Sequence, residues 1–363
     1  MASAQDSVWM ARALRLAERG LYTTSPNPRV GCVLTRDGAV IGEGWHERAG
    51  EPHAEVHALR AAGAVVRGAT AYVTLEPCSH HGRTPPCADA LIVAGVARVV
   101  VAMQDPNPQV AGQGIAKLRA AGIEVECGLM EAAARELNIG FFTRMTRGTP
   151  WLRSKIAASL DGRTALANGE SKWITGSAAR QDVQHWRARS CAILTGIGTV
   201  LADDPQLNVR GVETSRQPLR AVVDNGLRMP LDAKMLQQHG VVIYTATQDA
   251  QKIAALERAG ARVVVLPEAD GQVDVAAVLC DLAIQGCNEV LVEAGSKLNG
   301  ALFKAGLVDE LVLYLAPQML GDMARGMARL GELISLEQRI ELEWNDVRQV
   351  GRDLRIVARV KKG

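Results

Sequence analysis

His53-Ala54-Glu55, followed by Pro77-Cys78 and, after eight further residues, by Cys87, is the pattern on which the first half of the chain depends. One imidazole and two thiolates suit zinc, and three protein ligands leave a fourth tetrahedral position for water. Zinc lowers the pKa of that water and produces hydroxide. Glu55 lies beside the metal, where it can carry a proton to the ring nitrogen and the departing amine. The pattern predicts a deaminase site with His53, Cys78 and Cys87 as metal ligands and Glu55 as a catalytic residue.

The loop between the two cysteines departs from the generic signature, which has only two residues there. It reads Ser79-His80-His81-Gly82-Arg83-Thr84-Pro85-Pro86, which is polar and ends in a stiff Pro-Pro. Such a loop can bring His80 and Arg83 over the pocket, and the guanidinium of Arg83 suits a phosphate. Two weaker alternatives stay open: His57 as a metal ligand together with His53, and a closed structural site with four ligands.

Helical and extended patterns alternate around this site, which favours an α/β layer with a largely parallel sheet. Asp37-Gly38 predicts a tight hairpin turn. The predicted elements are helices over Ser7–Arg19, Ala54–Ala62 and Asp89–Ala94, a hairpin of Val30–Leu34 and Ala39–Trp45, strands over Ala69–Leu75 and Val96–Met103, and a further helix and strand that end near Cys127.

The polar segment from Arg144 to Pro150 predicts a boundary between two domains, residues 1–147 and 148–363. Beyond it the alternation begins again and predicts a second α/β domain. Its strands are expected at Leu152–Ala157, Cys191–Thr195, Leu219–Asp224, Val241–Thr245, Arg262–Leu266, Glu289–Glu293 and Glu310–Leu315, and its helices at Ser177–Arg189, Ala250–Arg258, Val275–Gln285 and Lys297–Ala305.

Composition limits the classes of function. The 363 residues carry 41 Lys and Arg against 39 Asp and Glu, and 4% are aromatic, which argues against a nucleic-acid partner. No run of about 18 apolar residues and no secretory signal are visible, so we expect a cytoplasmic protein without a membrane partner. Five isolated cysteines are expected in the core: Cys32, Cys127, Cys191, Cys280 and Cys287.

Several motifs resemble one known family, the bifunctional deaminase/reductase of riboflavin biosynthesis. In the first half these are Asn27-Pro28-Arg29-Val30-Gly31-Cys32, Gly44-Trp45-His46, His53-Ala54-Glu55 and the long segment from Pro77 to Cys87. In the second half they are Lys155–Arg163, Trp173-Ile174-Thr175, Gly198–Pro205 and Leu207-Asn208-Val209-Arg210. One departure is Glu293-Ala294-Gly295, where the family pattern has Glu-Gly-Gly.

The resemblance implies a cytidine-deaminase-like α/β/α domain followed by a dihydrofolate-reductase-like α/β domain. It implies zinc and NADPH as cofactors, a small phosphorylated pyrimidine as substrate, and a homo-oligomer, dimer or tetramer. The implied reactions are hydrolytic deamination of 2,5-diamino-6-(5-phosphoribosylamino)pyrimidin-4-one and reduction of its ribosyl group to a ribityl chain. In the deaminase site the resemblance assigns substrate contacts to Asn27, His46, His80 and Arg83.

In the second domain the residues alone say less, because no Gly-x-Gly-x-x-Gly fingerprint follows a strand. Two strand-to-helix turns, Gly196–Thr199 and Glu293–Gly300, are candidates for binding a nucleotide phosphate. The resemblance assigns substrate contacts to Ser171, Arg187, Leu207, Arg210 and Glu293. Among these, the guanidinium groups of Arg187 and Arg210 suit the substrate phosphate. It assigns cofactor contacts to Ala157, Trp173, Thr199, Asp203, Gly295, Ser296, Lys297, Leu298, Asn299, Gly300 and Ala301.

Lys155 and Asp203 are the candidate catalytic residues for polarising the opened sugar or relaying a proton, although Asp203 could instead be a helix-cap or turn residue. Two other hypotheses compete with the bifunctional enzyme. One is a nucleic-acid base deaminase with an accessory C-terminal domain, and the other is a non-catalytic module with a structural zinc.

Overall fold

The computed structural model describes residues 3–79, 86–108, 110–268 and 270–362. The chain forms two compact units, Met1–Gly148 and Thr149–Gly363. Among the described residues, no helix has both the length and the apolar character that crossing a bilayer requires.

The first unit contains a mixed sheet. Its strands are β1 Gly31–Arg36, β2 Ala39–Trp45, β3 Thr70–Val73, β4 Arg98–Val101 and β5 Glu124–Cys127. They lie in the order β2-β1-β3-β4-β5, with β1 antiparallel to both neighbours and β3, β4 and β5 parallel. Asp37 and Gly38 turn the β1–β2 hairpin with φ of 51° and 75°, as a tight turn between right-twisted strands requires. The hairpin predicted at this position is confirmed.

Helices cover both faces of this sheet. They are α1 Ala4–Glu18, α2 Ala54–Ala62, α3 Cys87–Ala94, α4 Gln113–Ala120, α5 Glu131–Leu137 and α6 Ile139–Arg147, with a 3₁₀ turn at Gly63–Val66. Leu34 and Val73 pack under α2, α3 and α4, whereas Val33 and Tyr72 pack under α1 and α5. Successive strand residues therefore serve opposite faces, which produces three α/β/α layers.

Helix α2 packs unusually close to strand β2 because two glycines face it. A Cβ at Gly44 would lie 2.5 Å from the carbonyl oxygen of Ala54, and one at Gly42 would lie 2.3 Å from that of Ala58. No side chain fits between these backbones. Since His53 is the residue that immediately precedes α2, this contact fixes the start of the helix against the sheet.

Two details differ from expectation. Arg144–Arg147, placed in a polar boundary segment, form the end of α6, whose buried residues are Ile139, Gly140 and Thr143. Their polarity is that of an exposed helix face, and Gly148, with φ of 75°, ends the helix.

Cys127 and Cys280 are exposed, so their expected place in the core is wrong. Cys127 ends an edge strand, and Cys280 lies on the solvent side of a helix, whereas Cys32, Cys191 and Cys287 are buried.

Asp6 anchors α1 through an ion pair that we expect to make stability depend on pH. Its carboxylate is 2.8 Å from Nη1 of Arg98 and accepts a 2.6 Å hydrogen bond from Tyr72. The Arg98 hydrogen bonds hold the pKa of Asp6 well below its usual value. A lowered carboxyl pKa stabilises the fold above the unfolded pKa of about 3.9, and this contribution fades as the pH falls below it.

Asp6→Asn should therefore lower the free energy of unfolding by about 1.5–3 kcal/mol at pH 7, because Arg98 loses its more buried carboxylate partner and keeps Glu126 at 2.7 Å. At pH 3 the difference from the unsubstituted protein should be smaller. Denaturant titrations at both pH values measure this, and an equal loss at the two would contradict the assigned ion pair.

The second unit contains a larger sheet. Its strands are β6 Trp151–Ser159, β8 Ala192–Gly196, β9 Leu219–Val223, β10 Val241–Thr245, β11 Ala261–Val265, β12 Glu289–Val292, β13 Glu310–Ala316, β15 Leu342–Val350 and β16 Asp353–Val360. Their order is β11-β10-β9-β8-β12-β6-β13-β16-β15. The strands from β11 to β13 are parallel, and the β15–β16 hairpin is antiparallel. Strands β7 Arg163–Ala165 and β14 Arg325–Gly326 form a separate two-stranded sheet.

Helices again flank both faces. They are α7 Ser177–Arg189, α8 Ile197–Asp203, α9 Ala250–Arg258, α10 Val275–Ile284 and α11 Ser296–Lys304, with 3₁₀ turns at Lys234–Gln237 and Leu336–Gln338. Leu194 and Val292 pack with α10 and α11, whereas Ile193 and Val222 pack with α8 and α9. The β15–β16 hairpin was not predicted, because β15 is a largely exposed edge strand without an apolar run.

Candidate active sites of the two units

The predicted metal ligands meet at the starts of two helices in the first unit. His53 immediately precedes α2, Cys87 is the first residue of α3, and Cys78 lies in the loop after β3. The positive end of a helix dipole stabilises a thiolate, so the position of Cys87 suits a metal ligand.

The three ligand atoms have the spacing that zinc requires. His53 Nδ1 lies 3.6 Å from Cys78 Sγ and 3.3 Å from Cys87 Sγ. All three atoms lie within 4.8 Å of one another. Bonds of about 2.3 Å to sulfur and about 2.0 Å to nitrogen place tetrahedral ligands roughly 3.5–3.8 Å apart. The residues therefore fit a zinc ion.

The two thiols differ in how readily they lose their protons. Cys87 donates to Cys78, and this lowers the pKa of Cys78 to about 4, helped by His53. The same contact raises the pKa of Cys87. The thiolate of Cys78 is thus favoured even without a bound cation. Cys78 and Cys87 therefore suit the binding of a metal ion.

Glu55 is buried beside these ligands, in the first turn of α2, with 3% of its surface exposed. Its Oε2 atom has no hydrogen-bond partner among the described residues. Burial raises the pKa of Glu55 to about 7. A buried carboxyl group with a free oxygen next to a metal set is placed to accept and release protons near neutral pH.

Asn27 and His46 form a second pair next to the ligands. Asn27 Nδ2 donates to His46 Nε2 at 3.1 Å, and His46 Nδ1 donates to the carbonyl oxygen of Pro52 at 3.1 Å. Burial lowers the pKa of His46, which favours the neutral ring that these bonds need. The His46 and His53 rings meet edge to face at 5.3 Å. The structure thus brings both predicted contact residues to the metal set.

Other predictions for this site have different outcomes. Among the described residues the metal set contains neither His57 nor any fourth His, Cys, Asp or Glu, so neither the His57 alternative nor the closed four-ligand site has support there. His80 and Arg83 lie outside the described residues, and their assigned contacts stay predictions.

In the second unit Lys155, Arg187 and Glu293 form a charged group at the carboxyl end of β12, in which Arg187 is buried and the other two are half-buried. Residue 293 directly follows β12, next to Lys155 on β6, because Val292 pairs with Ser154. Arg187 holds the Glu293 carboxylate through two hydrogen bonds of 2.6 and 3.0 Å, and Lys155 Nζ is 3.9 Å from it. Parallel sheets bind ligands at this edge.

Burial controls the proton affinities of this group. Burial lowers the pKa of Lys155, and Glu293 offsets only part of this effect. Burial alone would raise the pKa of Glu293, but Arg187 and Lys155 together hold it below its usual value. The carboxylate therefore stays charged, while Lys155 gives up its proton more readily than an exposed lysine.

The Arg187–Glu293 pair was not expected from the sequence, which assigned Arg187 to a phosphate. Arg187 Nη1 also donates to the Asn208 carbonyl oxygen at 3.0 Å. The Arg187 guanidinium therefore makes three hydrogen bonds within the protein. Arg210 is exposed and close enough to lower the pKa of Glu293. The phosphate contacts of Arg187 and Arg210 both stay predictions. Of the two side chains, that of Arg210 is the one open to a ligand.

Two helices begin at the same edge, as predicted from the two strand-to-helix turns. Helix α8 follows β8 and carries Thr199 in its first turn, and α11 begins after Gly295. A Cβ at Gly295 would meet nothing within 4 Å. Backbone amides at helix starts favour phosphate groups, so these turns can receive a nucleotide.

The residues assigned to the cofactor along α11 differ in accessibility. Gly295 and Lys297 are exposed, and Ser296 and Ala301 are half-buried. Asn299 is buried and donates to the Ala294 carbonyl oxygen at 3.0 Å. Leu298 and Gly300 are also buried. Leu298, Asn299 and Gly300 therefore support the turn from the protein interior. Ala294, the departure from the family pattern, packs its methyl group against the core of the unit.

The remaining assigned residues lie at or near the sheet: Ala157 is on β6, Asp203 is the last residue of α8, and Ser171, Trp173 and Leu207 are on loops. Trp173 is 66% exposed, Ser171 and Ala157 are half-buried, and Lys172 Nζ pairs with Asp203 Oδ1 at 2.9 Å. Leu207 is buried with φ of 48°, a left-handed conformation that costs a non-glycine residue energy and that is enriched at functional sites.

Comparison with known proteins identifies both halves of the chain. The family model described as the cytidine and deoxycytidylate deaminase zinc-binding region matches residues 3–103, and the RibD C-terminal domain matches residues 150–356. The riboflavin biosynthesis protein RibD of Escherichia coli (strain K12) is 52% identical over 362 residues, covering 96% of this chain and 98% of the relative.

Solved structures agree over the full length. Acinetobacter baumannii RibD, form 1, is similar with a TM-score of 0.92 and 48% identity over 99% of each chain. The diaminohydroxyphosphoribosylaminopyrimidine deaminase/5-amino-6-(5-phosphoribosylamino)uracil reductase of Thermotoga maritima is similar with a TM-score of 0.87 and 33% identity, covering 98% of this chain and 99% of that one. The chain therefore belongs to the RibD family of riboflavin biosynthesis proteins, as a bifunctional enzyme in which a zinc-dependent deaminase precedes an NADPH-dependent, dihydrofolate-reductase-like domain.

Proposed function

We propose that the first unit deaminates 2,5-diamino-6-(5-phosphoribosylamino)pyrimidin-4-one and that the second unit reduces the ribosyl group of the product to a ribityl chain. The observation that carries this proposal is the His53, Cys78 and Cys87 set beside the unpartnered buried oxygen of Glu55. Similarity to the Thermotoga maritima deaminase/reductase over nearly the whole chain supports the substrate.

In the deaminase site, His53, Cys78 and Cys87 would hold zinc, which when bound supplies Lewis-acid activation of water. Glu55 takes one proton from the attacking water at Oε2 and passes it to the ring nitrogen. It then takes the second proton, from the hydroxyl that has added to the ring carbon, and gives it to the amine, so that the C–N bond breaks, ammonia leaves and the ring carbonyl forms. Asn27 and His46 hold the pyrimidine ring. His80 and Arg83 contact the ribose and phosphate.

In the reductase site, NADPH when bound would supply the hydride for reduction of the opened ribose. Lys155 donates the proton that the carbonyl oxygen needs, and Asp203 is the second candidate for this transfer. Glu293 and Ser171 accept hydrogen bonds from ribose hydroxyls or ring groups. Arg210 binds the phosphate, Arg187 is the second candidate for this contact, and Leu207 contacts the substrate.

The residues that would hold NADPH lie along the carboxyl edge of the sheet. They are Ala157 and Trp173, the helix starts at Thr199 and Gly295, and the segment Ser296–Ala301. The deaminase domain comprises residues 1–147 and the reductase domain residues 148–363. We place the enzyme in the cytoplasm as a dimer or tetramer. The reductase domain argues against the alternative of a nucleic-acid base deaminase.

Asp203→Ala tests the cofactor contact. Removal of the carboxylate leaves Lys172 without the ion pair to Asp203, and we expect the KM for NADPH to rise about 3- to 10-fold, as for loss of one ordinary hydrogen bond. Fluorescence titration of NADPH and the reductase KM measure the change. An unchanged titration would refute the assigned contact at Asp203.

The proposed reaction order is tested with purified protein and the diamino substrate. Ammonia should be released without NADPH, and NADPH should be oxidised only once the deaminated intermediate has formed or been supplied. The chelator-treated protein should still oxidise NADPH with the intermediate. If the chelated protein oxidises NADPH directly with the diamino substrate, the order proposed here is wrong.

A further inference from the structure

Glu76 lies two residues before the metal ligand Cys78, and its carboxylate is almost enclosed, with 4% of the residue exposed. Four backbone amides donate to it. Gly114 and Ile115 reach Oε1 at 2.9 and 3.1 Å, and Gly112 and Asp105 reach Oε2 at 2.9 and 3.1 Å. Such a set of donors fixes the orientation of an anion from every side.

These amides belong to one structural feature, the start of α4 and the segment before it. Gly112 is the residue before α4 and has no side chain that could cap the helix. The amides of Gly114 and Ile115 would otherwise lack partners, because the first turn of a helix leaves its N–H groups unpaired. The Glu76 carboxylate replaces the missing cap and sits at the positive end of the helix dipole.

A second contact joins the same two segments independently of Glu76. A Cβ at Gly114 would lie only 1.9 Å from the carbonyl oxygen of Pro77, so the backbone of α4 touches the residue that directly precedes Cys78. On the other side, the Cys78 carbonyl oxygen accepts from the Ala88 amide at 3.1 Å, and Cys78 Sγ accepts from the Cys87 amide at 3.3 Å. The backbone of Cys78 is therefore held between α4 and α3.

We propose that Glu76 is a positioning residue of the metal site: by binding the start of α4, it fixes the Pro77-Cys78 backbone so that Cys78 Sγ is placed before metal arrives. Glu76 does not touch the reacting atoms. This inference rests on the proposed zinc site and is independent of the identity of the substrate.

Two substitutions at Glu76 remove its hydrogen bonds to different extents. Glu76→Gln keeps the size of the side chain but turns one acceptor oxygen into a donor that faces two N–H groups. Glu76→Ala removes all four hydrogen bonds. Asp6→Asn is the matched control, because it also neutralises a buried carboxylate of the first unit, on α1 rather than on the metal loop.

The variants are loaded with zinc, and release to a colorimetric chelator is followed at a temperature where all are folded. We expect zinc to leave Glu76→Gln at least about 10-fold faster, and Glu76→Ala faster still, than it leaves the unsubstituted protein or Asp6→Asn. The absorption bands of cobalt-loaded Glu76→Gln should shift, and reductase turnover should stay within about twofold. Equal release from Glu76→Gln and Asp6→Asn, with an unchanged cobalt spectrum, would overturn the proposal.

A measurement on the unsubstituted protein covers the case in which the variants do not fold. Removal of zinc should speed hydrogen exchange at the amides of Gly112, Gly114 and Ile115. The reason is that Glu76 and Pro77 join the Cys78 loop to the start of α4, so loss of order in the loop should loosen these amides. Unchanged exchange there would contradict the inference. The absence of zinc from the unsubstituted protein would instead count against the proposed function, so the two failures are distinguishable.

Discussion

The Glu55→Gln variant is expected to retain zinc and to lose deamination by about 10⁴-fold, at the upper end of what a general acid–base group contributes. The amide has the same size as the carboxylate, so His53, Cys78 and Cys87 keep their places. It cannot accept the proton of the attacking water, and it has no proton to return to the amine. Ammonia release in single turnover and zinc content per chain measure the two parts of this prediction.

Reductase activity is the internal control for Glu55→Gln, and it should stay unchanged because the substitution is in the other unit. Glu131→Gln, an exposed carboxylate on α5, should leave both activities unchanged. A Glu55→Gln variant that deaminates at the rate of the unsubstituted protein would refute the assigned proton transfer.

Lys155→Met should lower NADPH-dependent reduction by about 10²- to 10³-fold, the range expected for loss of one proton donor. The methionine fills a similar volume, and Glu293 keeps its two hydrogen bonds with Arg187, so the sheet edge should stay folded. Reduction of the supplied deaminated intermediate measures the effect. The KM for NADPH should change little, because Lys155 acts on the sugar.

Lys252→Met, an exposed lysine on α9, is the matched control and should reduce at the rate of the unsubstituted protein. Ammonia release by Lys155→Met should also be unchanged. If Lys155→Met reduces the intermediate at nearly the full rate, Lys155 is not the proton donor, and Asp203 becomes the candidate that is left.

The metal set could be predicted because its signal is local in the chain. His53 and Glu55 are two residues apart at a helix start. A histidine together with two cysteines is a ligand set typical of zinc. Most strands and helices of both units followed from apolar periodicity, since they bury one or both faces. Helices α5, α6 and α8 and strand β16 were not among the predicted elements. The same rule missed β15, whose residues are mostly exposed.

Contacts between distant residues could not be predicted in this way. Arg187 and Glu293 are 106 positions apart, and no local pattern indicates that one charge will hold the other. Glu76 binds backbone amides 29 to 39 positions further on, and amides carry no side-chain signal at all. The left-handed backbone at Leu207 is likewise fixed by its surroundings and not by its residue type.

X-ray absorption at the zinc edge of the protein, purified without chelators, tests the central claim most directly. We predict one zinc per chain, bound by two sulfurs at about 2.3 Å and by nitrogen and oxygen at about 2.0–2.1 Å, the oxygen being a water. A spectrum that requires three or four sulfurs, or a protein that holds no zinc, would contradict a catalytic centre made by His53, Cys78 and Cys87.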